Sequence, residues 1–126
     1  MTTVLDASAL LAYLKEETGG KAVKAVLSKA RISTVNWAEV VQKAIALGTD
    51  VDGMLEELQE LGLKIEPFII EDGEKAGRLW SETKQYGLSL GDRACLSLGS
   101  RLEATVLTSD RAWASLDIAV SVQVIR

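Results

Sequence analysis

The 126-residue chain has the length of one ordinary domain, and its 48% hydrophobic and 25% charged residues are those of a soluble globular protein, so one core is expected over residues 1–126. It has no histidine and one cysteine, Cys95, which excludes histidine acid–base catalysis, zinc held by histidine or a thiolate cluster, and an internal disulfide. Its 18 acids against 14 bases give a net charge of −4, which argues against a generic nucleic-acid binder unless several acids share one metal site.

No apolar run approaches the roughly 20 residues of a membrane span. The start, Met-Thr-Thr-Val-Leu-Asp, lacks the basic region of a secretory signal, so a cytoplasmic location is the expectation. Cys95 lies in the run Ala-Cys-Leu-Ser-Leu and reads as a small buried hydrophobe.

In chain order, "TTVLD" at 2–6 predicts a short strand, followed by an apolar helix over about 7–16 and a break at Gly19-Gly20. Lys21 to Ala30 carries Val23, Val26 and Leu27 at helical spacing, and "RISTV" at 31–35 reads as a strand. Asn36 then opens a helix with Trp37, Val40, Val41, Ala44 and Ile45 on one face, stopped by Gly48. A helix over about 51–61 uses Met54, Leu55, Leu58 and Leu61 and ends at Gly62. "LKIEPF" at 63–68 is a strand or edge segment with the only proline, and a helix follows over about 72–86. The helix from Gly91 to Leu102 turns Ala94, Cys95, Leu98 and Leu102 inward and Arg93, Ser97 and Arg101 outward. "ATVLTS" at 104–109 is a strand, 110–116 a short helix, and "VSVQVI" at 120–125 the last strand. Strands alternating with helices imply parallel crossovers, so the expected fold is α/β: a three-layer α/β/α sandwich around a mainly parallel sheet.

Four acids fall at equivalent places in this scheme. Asp6 ends the first strand, Glu39 lies in the first turn of the helix after "RISTV", Asp92 follows "LSLG", and Asp110 ends "ATVLTS". Taken singly, each has a simple explanation at a helix start. Asp6 and Asp110 are candidate caps, and Asn36-Trp37-Ala38-Glu39 and Ser89-Leu90-Gly91-Asp92 resemble capping boxes. Glu39 is also spaced to pair with Lys43. Taken together, capping is a weak reason for four charges. If the four cluster, two carboxylates ~4 Å apart repel by roughly 4 kcal/mol at an effective dielectric of 20, whereas a cap contributes about 1 kcal/mol and serine or asparagine supplies it without charge. A divalent cation removes the conflict, and oxygen-only ligation suits Mg²⁺ or Mn²⁺. Such a cation keeps several waters and accepts phosphate oxygens.

"VLDASALLAYLKEE", "ISTVNWAEV", "LSLGDRACLSLG" and "VLTSDRAWA" resemble, in order and spacing, the motifs of the PIN-domain ribonucleases, and within them the VapC-like toxins of type II toxin–antitoxin pairs. The resemblance spans essentially the whole chain, as a single PIN-like domain over residues 1–126. It implies a helix-flanked parallel sheet with its acids at one edge, which places Asp92 where periodicity alone does not. It also implies that Asp6, Glu39, Asp92 and Asp110 are the catalytic acids. Asp6, Asp92 and Asp110 hold the ion on this reading, and Glu39 completes the site or acts through water. Ser8 and the pair Thr108 and Ser109 match the family's hydroxyl positions, where they orient carboxylates or water. Arg93 and Arg111, each directly after an acid, are candidates for RNA phosphate contacts, for bracing the neighbouring carboxylates, or for a plain surface role. Trp37 and Trp80 lie on apolar stripes and read as core or interface, with Trp113 left open.

The expected function is therefore a Mg²⁺- or Mn²⁺-dependent endoribonuclease toxin that leaves 5′-phosphate and 3′-hydroxyl ends. The resemblance also implies a homodimer held inactive by an antitoxin protein. The alternatives are a PIN-domain RNA-processing nuclease outside any toxin system, and a catalytically silent PIN-like binding module. An aspartate-nucleophile phosphatase would need a second aspartate where this chain has Ser8. A phosphoacceptor receiver would need a clustered acidic pair after its first strand and a lysine ending its last one, and neither is present.

Overall fold

Five short strands, β1 (Thr3–Leu5), β2 (Ala30–Ser33), β3 (Lys64–Glu66), β4 (Thr105–Thr108) and β5 (Val122–Val124), form the centre of the computed structural model, which covers residues 1–126. They pair in the order β3-β2-β1-β4-β5, and every pairing is parallel. The connections are α1 (Ala7–Leu14), α2 (Gly20–Val26), α3 (Thr34–Ala46), α4 (Met54–Glu60), α5 (Ile70–Arg78), α6 (Trp80–Thr83) and α7 (Leu90–Leu102), with a 3-10 turn at Arg111–Ser115 before β5. The expected three-layer α/β/α sandwich is present, and its sheet is wholly parallel.

Strand alternation builds the two cores. Successive side chains of a strand point to opposite faces, so Leu5 and Leu107 join Ile32, Leu10, Val23, Val40 and Leu58 in one buried cluster. Val4 and Val106 face the other way, into Cys95, Leu96, Leu98 and Trp113. Helices α1 to α4 supply the first cluster and α7 the second, with α5 packed against α7. Gly48 and Gly62 follow α3 and α4 at φ of +81° and +105°, the left-handed conformation in which glycine ends a helix.

Several expected details are corrected. β2 ends at Ser33 rather than residue 35, because the Ser33 hydroxyl accepts from the Val35 N–H and starts α3 three residues early. Asn36 is thus inside the helix, not its opening residue. The expected helix over 72–86 is divided at Leu79 into α5, α6 and a 3-10 turn at Lys84–Tyr86. The face of α7 expected to point outward meets α5 instead. Ser97 is buried and donates to the Arg93 carbonyl, and Arg101 forms an ion pair with the buried Asp72 at 2.8 Å. Trp80, expected in a core or interface, is 52% exposed with the Lys84 ammonium 4.8 Å from its ring, whereas Trp37 packs on the first core and Trp113 is buried in the second. Cys95 is fully buried, as expected. No helix is long and apolar enough to cross a membrane.

Candidate active site

The chain lays β2 and β3 to one side of β1, then β4 and β5 to the other, so strand succession reverses between β1 and β4. In open parallel sheets the crevice beyond the carboxyl ends at such a reversal is where ligands bind. Asp6 directly follows β1, and Asp110 stands two residues after β4.

Asp6 is 5% exposed, and its N–H donates to the Leu107 carbonyl across this reversal. Its Oδ1 accepts from the Ser8 hydroxyl at 2.7 Å and the Ala9 N–H at 2.8 Å, and its Oδ2 accepts from the Thr108 hydroxyl at 2.5 Å. No lysine or arginine pairs with it. Burial pushes its carboxyl up to about 6, against the pull of these hydrogen bonds, and the charge of Asp92 adds to the rise. The two hydroxyls also accept, Ser8 from the Ser109 N–H at 2.9 Å and Thr108 from the Asp110 N–H at 3.0 Å. The turn after β4 is thereby tied to Asp6 through side chains on both strands. Ser109 takes part through its backbone rather than its hydroxyl.

Asp92 and Asp110 do serve as the local caps that their spacing predicts. The Ser89 N–H donates to Asp92 Oδ2 at 2.9 Å while the Asp92 N–H donates to the Ser89 hydroxyl, and the Ala112 N–H donates to Asp110 Oδ1 at 3.0 Å. Each leaves its second oxygen without a protein hydrogen bond. Glu39 neither caps its helix nor pairs with Lys43. Its Oε1 accepts from the Asn36 amide at 2.7 Å, and the carboxylate lies against Gly91 in the first turn of α7. Cys95 lies beneath this edge. Burial pushes its thiol up, and the charges of Asp6, Asp92 and Glu39 all add to the effect.

One feature, the Asn36 side chain, was not legible as functional in the sequence. The same Asn36 amide donates to the Gly91 carbonyl at 2.9 Å, joining α3 to α7, and its buried Oδ1 has no partner. The available signal was duplication, because Ser33 and Asn36 both look like caps for one helix and only one can serve. Arg93 is half-buried and donates to the Ala76 carbonyl of α5 at 2.8 Å, so it braces helix packing and not a carboxylate. Arg111 is exposed, and its side chain makes no ion pair or hydrogen bond within the chain.

The donors suit a hard divalent cation in chemistry: all are oxygens, one is a buried carboxylate without a counter-charge, and three acids each keep an oxygen free. Where the side chains stand, no three of the acids converge closely enough to share an ion. Asp92 is half-buried and Asp110 exposed.

A parallel α/β sheet with carboxylates at its topological reversal defines the class, an α/β protein with an acidic edge at the carboxyl ends of its strands. The PIN domain family model matches residues 3–119, and the chain belongs to that family. PIN domains are nucleases and generally use divalent metal ions. Among solved structures the fold is similar to that of a toxin–antitoxin complex from Klebsiella pneumoniae, 18% identical with a TM-score of 0.78 over 99% of this chain and 98% of that one. It is also similar to FitAcB from Neisseria gonorrhoeae, 20% identical with a TM-score of 0.71 over 96% of each chain. A third is VapBC2 from Rickettsia felis bound to a DNA fragment from their promoter, 18% identical with a TM-score of 0.71 over 100% of each. No curated protein sequence matches the chain.

Proposed function

We propose that this protein is a divalent-metal-dependent endoribonuclease and the toxin of a toxin–antitoxin pair. It acts on RNA with Mg²⁺ or Mn²⁺, works in the cytoplasm as a homodimer, and is held inactive by a cognate antitoxin protein. The observation that carries the nuclease reading is Asp6, a carboxylate buried at the strand reversal with hydroxyl and amide donors but no cation. The toxin reading draws its support from the likeness in fold to toxin–antitoxin complexes.

On this reading Asp6, Asp92 and Asp110 hold the ion and Glu39 completes the site. The bound cation supplies Lewis-acid activation of water and of the phosphodiester. The chain's own residues supply the order around it. Ser8 and Thr108 hold Asp6 with both hydroxyl protons turned onto its carboxylate, and they fix the Asp110 turn through its N–H groups. Arg111, beside Asp110 and free of protein partners, takes an RNA phosphate, whereas Arg93 is committed to α5. Cleavage leaves 5′-phosphate and 3′-hydroxyl ends.

The test compares the natural protein with Asp92→Asn. Asparagine keeps an acceptor for the Ser89 N–H, the bond that the N3 residue of a capping box makes, so fold and charge are separated. Mn²⁺ is expected to raise the melting temperature of the natural protein. Without metal the variant melts no lower than the natural protein, and it responds less to Mn²⁺. RNA cleavage stops in the variant and in excess chelator. Cleavage that survives both changes would end the metal-nuclease reading. In the same assay Arg111→Ala is expected to weaken RNA binding and to reduce the slope of log affinity against log salt by about 1, the loss of one phosphate contact. Unchanged binding removes Arg111 from the interface.

A further inference from the structure

We propose that Asn36 and Gly91 are positioning residues that seat the Glu39 carboxylate on the first turn of α7, an inference that rests on the reading of Glu39 as part of the metal site. Two independent features meet on this one carboxylate.

The first is the Asn36 amide. It is buried and free of capping duty, which Ser33 performs. Its two contacts, Glu39 Oε1 at 2.7 Å and the Gly91 carbonyl at 2.9 Å, are both acceptors, so the NH₂ group must face them. A glutamate on a helix surface turns freely about its side-chain torsions. Here one oxygen is held toward α7 while Oε2 has no protein hydrogen bond. Asn36 leaves its own Oδ1 buried and unpaired to do this. A residue kept only for packing would avoid that orphan, because an apolar side chain carries no acceptor to desolvate.

The second is the absence of a side chain at 91. Gly91 is a helical residue within α7 with no left-handed backbone angle to explain it, and alanine is the better helix former. A Cβ at this position would stand 2.8 Å from Glu39 Oε1 and 2.9 Å from both its Cδ and Oε2. The space that alanine would fill is occupied by the carboxylate. What the Cβ meets is the end of a flexible side chain, so a methyl group at 91 moves the carboxylate and leaves the helix intact.

The experiment uses the full chain and Mn²⁺ alone as probe, with affinity read from the spin-resonance signal of free Mn²⁺ and the melting temperature of the metal-free protein read beside it. Gly91→Ala is expected to melt at or above the natural protein and to bind Mn²⁺ roughly 10- to 100-fold more weakly, the usual effect of disturbing a group that orients a metal site. In a Glu39→Ala background the same substitution is expected to have no further effect, a non-additivity that a general helix effect would not produce. Asn36→Ala, where it folds, is expected to follow the same pattern. If Glu39→Ala weakens Mn²⁺ binding and Gly91→Ala does not, the positioning role is wrong and the metal-site reading stands. If Glu39→Ala has no effect while Asp92→Asn does, the positioning role and the assignment of Glu39 both fall. A natural protein that binds no Mn²⁺ overturns the functional reading and the inference with it.

Discussion

Asp6→Asn is expected to melt well above the natural protein at pH 7 without metal, and to cleave no RNA. The Asp6 carboxyl titrates near 3.8 in the unfolded chain and at about 6 in the folded one. Below 3.8 both states carry the proton and the group has no effect. Between these values the native state keeps a proton that the unfolded state releases. Stability therefore falls as pH rises through this window and stays lower above it. The displacement of about two units corresponds to about 3 kcal/mol, or a melting shift on the order of 10 °C for a domain of this size. Asparagine removes the buried charge and keeps the local bonds: its oxygen accepts from Ala9 N–H and Ser8, and its amide donates to the Thr108 oxygen. Melting curves from pH 3 to 8 without metal are the check. Natural and variant proteins should coincide below about pH 4, diverge up to 6 and then run parallel, with Mn²⁺ closing the gap. A variant no more stable than the natural protein at pH 7 shows that the buried charge of Asp6 costs the fold nothing.

Arg101→Ala is expected to be the most destabilising change remote from the acid edge, at about 3–5 kcal/mol, the cost of leaving a buried charge without its partner. Asp72 is 2% exposed, and Arg101 meets both of its oxygens, Nε to Oδ1 at 2.8 Å and a terminal nitrogen to Oδ2 at 3.1 Å. Without Arg101 the carboxylate keeps one weak bond, from the Ile69 N–H at 3.3 Å. The reverse change should cost less. Arg101 is 28% exposed in its side chain, so in Asp72→Ala its guanidinium can turn to water. Urea unfolding of the two single variants tests this asymmetry directly, and equal losses would mean that the pair acts through packing alone.

The pair also shows where the sequence stops being legible. The alternation of strands and helices, the parallel sheet and the four acids at element ends could all be read from spacing, because each is encoded within a few consecutive residues. The polar stripe Arg93, Ser97 and Arg101 could not be assigned in the same way. Periodicity divides a helix into two faces but does not say what covers the polar one, and a stripe turned to water has the same pattern as one docked on a second polar helix. Asp72 and Arg101 lie 29 residues apart, and neither position announces the other. Asn36 misled for a related reason. Asparagine before a helical run suits a cap, and only the partner supplied by α7, the Gly91 carbonyl 55 residues away, shows that its amide is used to join two helices. Trp80 is exposed where its stripe suggested core or interface, and Trp113, which the sequence left open, is buried, since a helix broken at Leu79 and a 3-10 turn do not present side chains at the regular helical interval.

Cys95 gives the molecule a built-in gauge. Its sulfur has no access to solvent, and burial together with three carboxylates keeps it in the protonated, unreactive form. A thiol reagent can reach it only when the packing around α7 opens, so the labelling rate counts those openings, there being no second thiol to confuse the signal. Anything that ties the carboxylates together from outside should slow that clock, and the slowing measures how firmly the acid edge is held shut.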